Sequence, residues 1–324
     1  MGAMKPKHVA LAVLVAAVWG VNFVVIEIGL DEFPPLLFSA LRFLAAAIPA
    51  VLFIGPPRVA WRWVIGVGLV LGVAKFGLLF VGMKAGMTAG LSSLVLQSQA
   101  LFTALFAALL LSERPGRRRL TGMAVAFAGI ALVAVEYGAS SPLAAFLLAI
   151  GAAACWGLSN IITRRAQPPD MFRFMVWVSV VPILPLLGLS LLVEGPSAGL
   201  AALSSLSLPG VGATLYVAWA ATLFGFGVWG YLLREYDATA VAPFSLLVPL
   251  FGMSSAALLL GEDLTPLRCV AAVLVIAGVG ITSLPPLSKW RQGQSSAPAS
   301  AYSPMPIAQS LAGAVNSSTN GAKQ

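Results

Sequence analysis

Residues Ala89–Glu113, AGLSSLVLQSQALFTALFAALLLSE, return 149 positions later as ATAVAPFSLLVPLFGMSSAALLLGE, Ala238–Glu262. Each copy is apolar for about twenty residues, long enough at 1.5 Å of rise per residue to cross the roughly 30 Å hydrocarbon core of a bilayer. The register persists beyond the copies: GMAVAFAGIALVAV from Gly122 and AAVLVIAGVGITSL from Ala271 keep the same offset, which places Ala128-Gly129 on Ala277-Gly278. A chain built this way is a duplicated unit of at least two helices per copy. Charged residues make up 9% and hydrophobic residues 59% of the sequence, against about 25% and 45–50% in soluble domains. That composition describes an all-α membrane protein and leaves no room for a separate soluble domain. Its function lies within the bilayer.

Ten apolar windows follow one another: Val9–Ile28, Leu36–Ile54, Trp63–Met83, Leu91–Leu111, Leu120–Val135, Leu143–Thr163, Phe172–Val193, Gly210–Leu233, Ala240–Leu260 and Cys269–Leu284. They predict ten transmembrane helices in two five-helix repeats, residues 1–137 and 138–286, followed by a disordered cytoplasmic tail over 287–324. The first window has the length of a full span, so it is read as retained and not as a signal peptide. With the N-terminus inside, the inner loops carry Lys5, Lys7, Arg58, Arg62, Arg114, Arg117, Arg118, Arg119, Arg164, Arg165, Arg173, Arg234, Lys289 and Arg291. The outer loops carry Lys84 and Arg268. This asymmetry places both termini in the cytoplasm. Five spans per repeat is odd, so the second half enters the membrane inverted, and the basic SERPGRRRL after the fourth span has the uncrowded GEDLTPLRC as its echo after the ninth. Inverted repeats are a hallmark of secondary transporters that alternate access to a central site. The net charge of +8 is spread over short loops and indicates orientation, not nucleic-acid binding.

Polar residues within the windows are costly in hydrocarbon and mark water-lined paths or interhelical bonds. Counting rise from the window ends places Asn22, Arg42, Lys75, Gln97 and Gln99 in one layer, roughly 9 to 12 Å below the outer surface. A matching layer near the cytoplasmic side holds Asn160 and Ser245, and Trp19 and Trp156 fall near the midplane. Arg42 has two readings, substrate contact or a structural clasp with Glu27; Lys75 either faces the cavity or snorkels outward. Glu27 and Lys75 are also the intramembrane candidates for a group that titrates during transport. Gln97 and Gln99, two apart on a helix, point about 200° from each other, so one lines the path while the other bonds a neighbour. Gln97 is favoured as the lining residue. The tryptophans either pack with their N–H bonded to another helix or wall the cavity. Pro249 removes the bond that would satisfy the Ser245 carbonyl, which makes Pro243 and Pro249 candidate hinge residues. Pro49, Pro182 and Pro185 interrupt other helices.

Enzymatic chemistry finds little support, since the one His is His8 at the N-terminal edge and no window contains an Asp. Cys155 and Cys269 lack ligand spacing and are read as small buried hydrophobes, so no metal and no cofactor is implied. The expected partners are the lipid bilayer and a small-molecule substrate; nothing in the sequence separates a monomer from a homodimer. Export of drugs or other metabolites, and a non-transporting scaffold or receptor, are the competing functions.

WGVNFVVIEIGL from Trp19, PPLLFSALRF from Pro34, AGLSSLVLQSQALFT from Ala89, SLLVPLFGMSSAALLLGE from Ser245 and the second Trp-Gly at Trp156-Gly157 resemble the EamA family of the drug/metabolite transporter superfamily. Within it the chain is most similar to bacterial O-acetylserine/cysteine exporters. The resemblance covers nearly the whole chain and implies ten helices in two repeats, a multi-pass protein of the cell inner membrane, and efflux of amino-acid-type metabolites such as cysteine and O-acetylserine.

Overall fold

The computed structural model describes residues 4–112, 116–138, 143–236 and 238–283. Glu113, Arg114, the side chains of Arg119 and Glu136, and the tail from Leu284 onward with Lys289, Trp290 and Arg291 lie outside the described residues. Among the described residues every regular element is a helix. The longer ones are α1 (Pro6–Glu32), α2 (Pro35–Val51), α3 (Trp61–Lys84), α4 (Ala89–Leu111), α5 (Arg117–Gly138), α6 (Leu143–Ala166), α7 (Met171–Glu194), α8 (Leu208–Glu235), α9 (Pro243–Leu260) and α10 (Pro266–Ser283), with short helices at Pro196–Ser204 and Ala238–Val241 between them. Seven of them, α1, α3, α4, α6, α7, α8 and α9, are long and apolar enough to cross a membrane. The apolar helices Pro35–Val51, Leu120–Val135 and Pro266–Ile281 are shorter. Helices are the natural solution for such a sequence, because a helix satisfies its own backbone where water is excluded.

The duplication read from the sequence recurs in the packing. A side chain on Gly129 would meet the Ala271 carbonyl oxygen, Leu274 Cβ and Val275 Cγ2 at 2.9 Å, and one on Gly278 would meet Ala126 Cβ and the Gly122 carbonyl oxygen at 2.6 Å. The same offset carries Gly122 to Ala271, Ala126 to Val275 and Gly129 to Gly278, so each glycine rests on the counterparts of its own helix neighbours. The late part of α5 therefore lies beside the early part of α10 and vice versa, and the two helices cross antiparallel. A two-fold relation perpendicular to the helices is what produces such a crossing. The remaining pairings obey it too: α1 packs on α9 and α8 as α6 packs on α4 and α3, while α2 packs on α7.

Breaks in helical regularity fall where the repeat predicts. Helix α4 tightens to a 3₁₀ turn at Leu96–Ser98, and the entry to α9 is 3₁₀ over Ala242–Leu247, where Pro243 and Pro249 withhold backbone donors. Helices α3 and α8 each widen into π turns, at Gly68–Lys75 and Tyr216–Phe224. Pro182 splits α7 and packs against Gly72 of the first π segment. Glu194 at the end of α7 accepts from the Leu36 and Leu37 amides at 2.6 and 3.2 Å, capping the start of α2, and Ser190 donates to it at 2.6 Å. Lys84 donates to the Leu30 carbonyl at the end of α1, 2.6 Å away. The core between these helices is aromatic and aliphatic, with Phe38, Phe80 and Phe174 nearly inaccessible. Cys269 is exposed and Cys155 half-buried, which corrects the reading of both as buried: neighbouring side chains do not fully enclose either sulfur.

Candidate functional site

The π segment of α3 ends on Lys75, and its widened turn sets the ammonium inside the bundle: Lys75 is 4% exposed. Its Nζ stands 3.3 Å from the centroid of Phe76 and 4.8 Å from that of Trp156 on α6. Arg42 of α2 is 2% exposed and lays its guanidinium on the same ring, Cζ to centroid 3.8 Å, with Phe43 at 4.6 Å. Two buried cations thus share one aromatic ring. Arg42 Nη2 donates to Thr222 Oγ1 at 2.7 Å, and Thr222, in the π segment of α8, donates in turn to the Val217 carbonyl at 2.8 Å. Beside Thr222, the Ala221 carbonyl accepts from Trp19 Nε1 of α1 at 2.8 Å. A continuous path therefore runs from Trp19 through Ala221-Thr222, Arg42, Phe76 and Lys75 to Trp156. It crosses five helices from both halves and ends on the two tryptophans that occupy equivalent places in them.

A second set of polar side chains meets along α4. Gln97 Nε2 donates to the Ser245 carbonyl at 3.1 Å, and the Val248 amide donates to the same oxygen; the expectation that Pro249 leaves this carbonyl free is corrected, because the 3₁₀ turn at the start of α9 supplies a backbone donor three residues on. Gln99 Oε1 accepts from Asn160 Nδ2 at 2.8 Å, and the same amide donates to Thr103 at 3.0 Å. The two glutamines face different helices, as their spacing demands, but both make interhelical bonds. The expected separation into an outer and an inner layer is corrected, because Gln97 bonds the Ser245 carbonyl and Gln99 bonds Asn160 directly. Asn22 Oδ1 is buried with no hydrogen-bond partner in the protein.

Two readings left open by the sequence are decided. Arg42 does not clasp Glu27; Glu27 accepts from the Ala89 amide at 3.0 Å, where the unbonded N–H groups at the start of α4 attract a carboxylate. Lys75 does not snorkel outward, since the two rings hold it inside. Trp19 fulfils the reading in which the indole N–H bonds another helix. Of the nine expected contact residues, the structure joins Trp19, Arg42, Lys75 and Trp156 in one path, and pairs Gln97 with Ser245 and Gln99 with Asn160. Pattern reading missed Thr222 and Phe76. Thr222 is the one threonine in YVAWAATLF, and nothing local distinguishes it from a hydroxyl bonded only to its own helix. It also missed Glu262, which accepts from Thr88 at 2.8 Å and from the Gly90 amide at 3.1 Å. A pocket of ≈ 210 Å³ opens elsewhere, where the start of α7 meets the end of α8, lined by Pro169, Phe172, Gly230 and Tyr231 among others.

No group of three or more metal-binding side chains occurs among the described residues. The sequence profile of the EamA-like transporter family matches residues 6–135 and again 143–284. A protein of Salmonella typhimurium LT2 named "Probable amino-acid metabolite efflux pump" is 43% identical over 285 residues, 86% of this chain and 95% of its own. A protein of Escherichia coli K12 with the same name is 39% identical over the same shares. A "Probable terminal-alkyne amino-acid exporter" of Streptantibioticus cattleyicolor is 27% identical over 89% of this chain and 97% of its own. A solved crystal structure covering 89% of this chain and 99% of its own, at 20% identity and a TM-score of 0.60, shares the fold.

Proposed function

The chain belongs to the EamA-like transporter family, whose members are transporters and not enzymes, and from that premise we propose that it exports small amino-acid-type metabolites from the cytoplasm. Cysteine and O-acetylserine are the cargoes to test first. The observation that supports the reading is the path from Trp19 to Trp156, in which two buried cations and several aromatic faces meet between helices of the first and second parts of the chain. In this proposal ten helices cross the inner membrane of the cell in two inverted sets of five, residues 1–137 and 138–286, with both termini cytoplasmic. Rocking of one half against the other opens the site to each side in turn.

The α-carboxylate of the cargo meets Arg42 and Lys75, whose fork and point charge suit a planar anion. Amides on Gln97, Gln99, Asn160 and Asn22 and the Ser245 backbone take the ammonium and side-chain polar groups, since an amide both donates and accepts. Pro243 and Pro249 supply the hinge at which α9 bends. A bulky cationic cargo fits poorly beside two buried cations. The names of the relatives support the class of cargo. Overproduction of the chain in cells, with extracellular cysteine and O-acetylserine measured alongside growth under excess cysteine, tests the assignment. A several-fold rise in either compound is the expected outcome; unchanged levels of both, with the protein present in the inner membrane, would refute the cargo.

A further inference from the structure

Within that site the charge is unbalanced. Arg42 Nε and Nη1 are buried and make no hydrogen bond to the protein. Three carboxylates at the helix ends are engaged elsewhere: Glu27 on the Ala89 amide, Glu194 on the Leu36 and Leu37 amides, Glu262 on Thr88 and the Gly90 amide. Aromatic faces hold the two cations in place but do not cancel their charge. A buried charge without a partner is expensive, and here two like charges share one ring.

We infer that the Arg42–Phe76–Lys75 pole is an anion-binding subsite, filled by the carboxylate of the cargo and, between cargoes, by a small inorganic anion such as chloride, with Thr222 as the positioning residue. The identity of the cargo rests on the reading given above; the affinity for an anion does not. An anion between Arg42 and Lys75 converts one repulsion into two attractions. The Thr222 hydroxyl gives its proton to the Val217 carbonyl, so only its lone pairs face Arg42 Nη2. That arrangement fixes the rotation of the guanidinium and leaves Nε and Nη1 free to donate to the ligand. It also ties the subsite to both halves, because Arg42 belongs to α2 and Thr222 to α8, so a movement between halves changes the grip on the anion.

The test uses the purified full chain in lipid nanodiscs, with thermal unfolding followed while chloride, or acetate as the simplest carboxylate, replaces methanesulfonate at constant ionic strength. A ligand that binds the folded state raises the unfolding temperature along a saturating curve. The expected result is a saturable rise with each anion, a midpoint at least tenfold higher in Lys75→Gln, and no saturable component in Arg42→Gln. Thr222→Val should move the midpoint in the same direction and Thr222→Ser should leave it near the wild-type value; this pair decides the matter where Arg42→Gln fails to fold. A wild-type protein with no saturable component, or equal midpoints in all variants, would overturn the subsite. Saturable stabilisation by chloride and acetate in a protein that exports neither cysteine nor O-acetylserine would instead leave the subsite standing and remove the cargo.

Discussion

At equivalent positions of the two halves the backbone does the same thing. Helix α4 ends on Ser112 at φ 54° with its amide on the Ala107 carbonyl, and α9 ends on Gly261 at φ 70° with its amide on the Ala256 carbonyl, each pair 149 residues apart. Gly20 of α1 abuts the Gly252 nitrogen and Gly157 of α6 abuts the Thr103 nitrogen, both at 2.8 Å from where a side chain would begin. The side chains that carry charge do the opposite. The π segment of α3, GLVLGVAK, ends on Lys75, while that of α8, YVAWAATLF, has no charge and offers Thr222. Close helix crossings tolerate only small residues, so packing keeps both copies alike. The site residues are buried too, but Lys75 and Thr222 are not at close helix crossings, so their chemistry differs between copies while the scaffold stays symmetric.

The sharpest way to break the comparison is at the paired glycines. Gly20→Leu and Gly157→Leu should each abolish the folded protein, and even Gly20→Ala or Gly157→Ala should cost about 1–3 kcal/mol, because the obstructing atoms are backbone and the Cβ atoms of Phe251 and Phe102, which cannot rotate away. Folded yield and unfolding temperature measure both; similar losses at the two sites are expected, and tolerance at one alone would show that the crossings are not equivalent. Next in size, Arg42→Gln should lower export at least about tenfold with the folded amount little changed, as for a residue that holds the ligand. Thr222→Val, its partner from the other half, should lower export less and leave more of it at high cargo concentration.

Smaller effects are expected along α4. Gln97→Ala should lower export more than it lowers protein level, while Asn160→Ala, which frees Gln99 and Thr103 together, should cost about 1 kcal/mol of stability as well. The smallest effect tests the caps. Ser112→Gly should stabilise α4 by up to about 1 kcal/mol and Gly261→Ser should destabilise α9 by a like amount, since a left-handed residue with a Cβ is strained. Thermal unfolding of the two variants would show opposite shifts; shifts of the same sign would contradict the equivalence of the helix ends.

The scaffold was legible in the sequence because duplication leaves a register that can be counted, and apolar windows fix helix positions within a few residues. The rule about Pro249 did not carry through to Ser245, whose carbonyl the 3₁₀ turn bonds to the Val248 amide as well as to Gln97. Depth counting separated Gln99 from Asn160, which bond directly, because it treats the helices as straight, untilted and aligned at their window ends. It could not reveal Thr222, whose role depends on Arg42 reaching it across 180 residues of chain. Nor could it choose for Arg42 between Glu27 and another partner: Glu27 is captured by the free amides of α4, a competition that becomes visible only when the helix starts are placed side by side.

The most direct test of the account is exchange in proteoliposomes holding the purified chain, with labelled cysteine or O-acetylserine outside and unlabelled compound inside. The account predicts saturable uptake that internal compound accelerates several-fold, is competed by other small carboxylates, and is lost in Arg42→Gln while Glu27→Gln retains it. Uptake no faster than in protein-free vesicles, or uptake that Arg42→Gln leaves intact, would contradict an amino-acid exporter built around the buried cations of its first half.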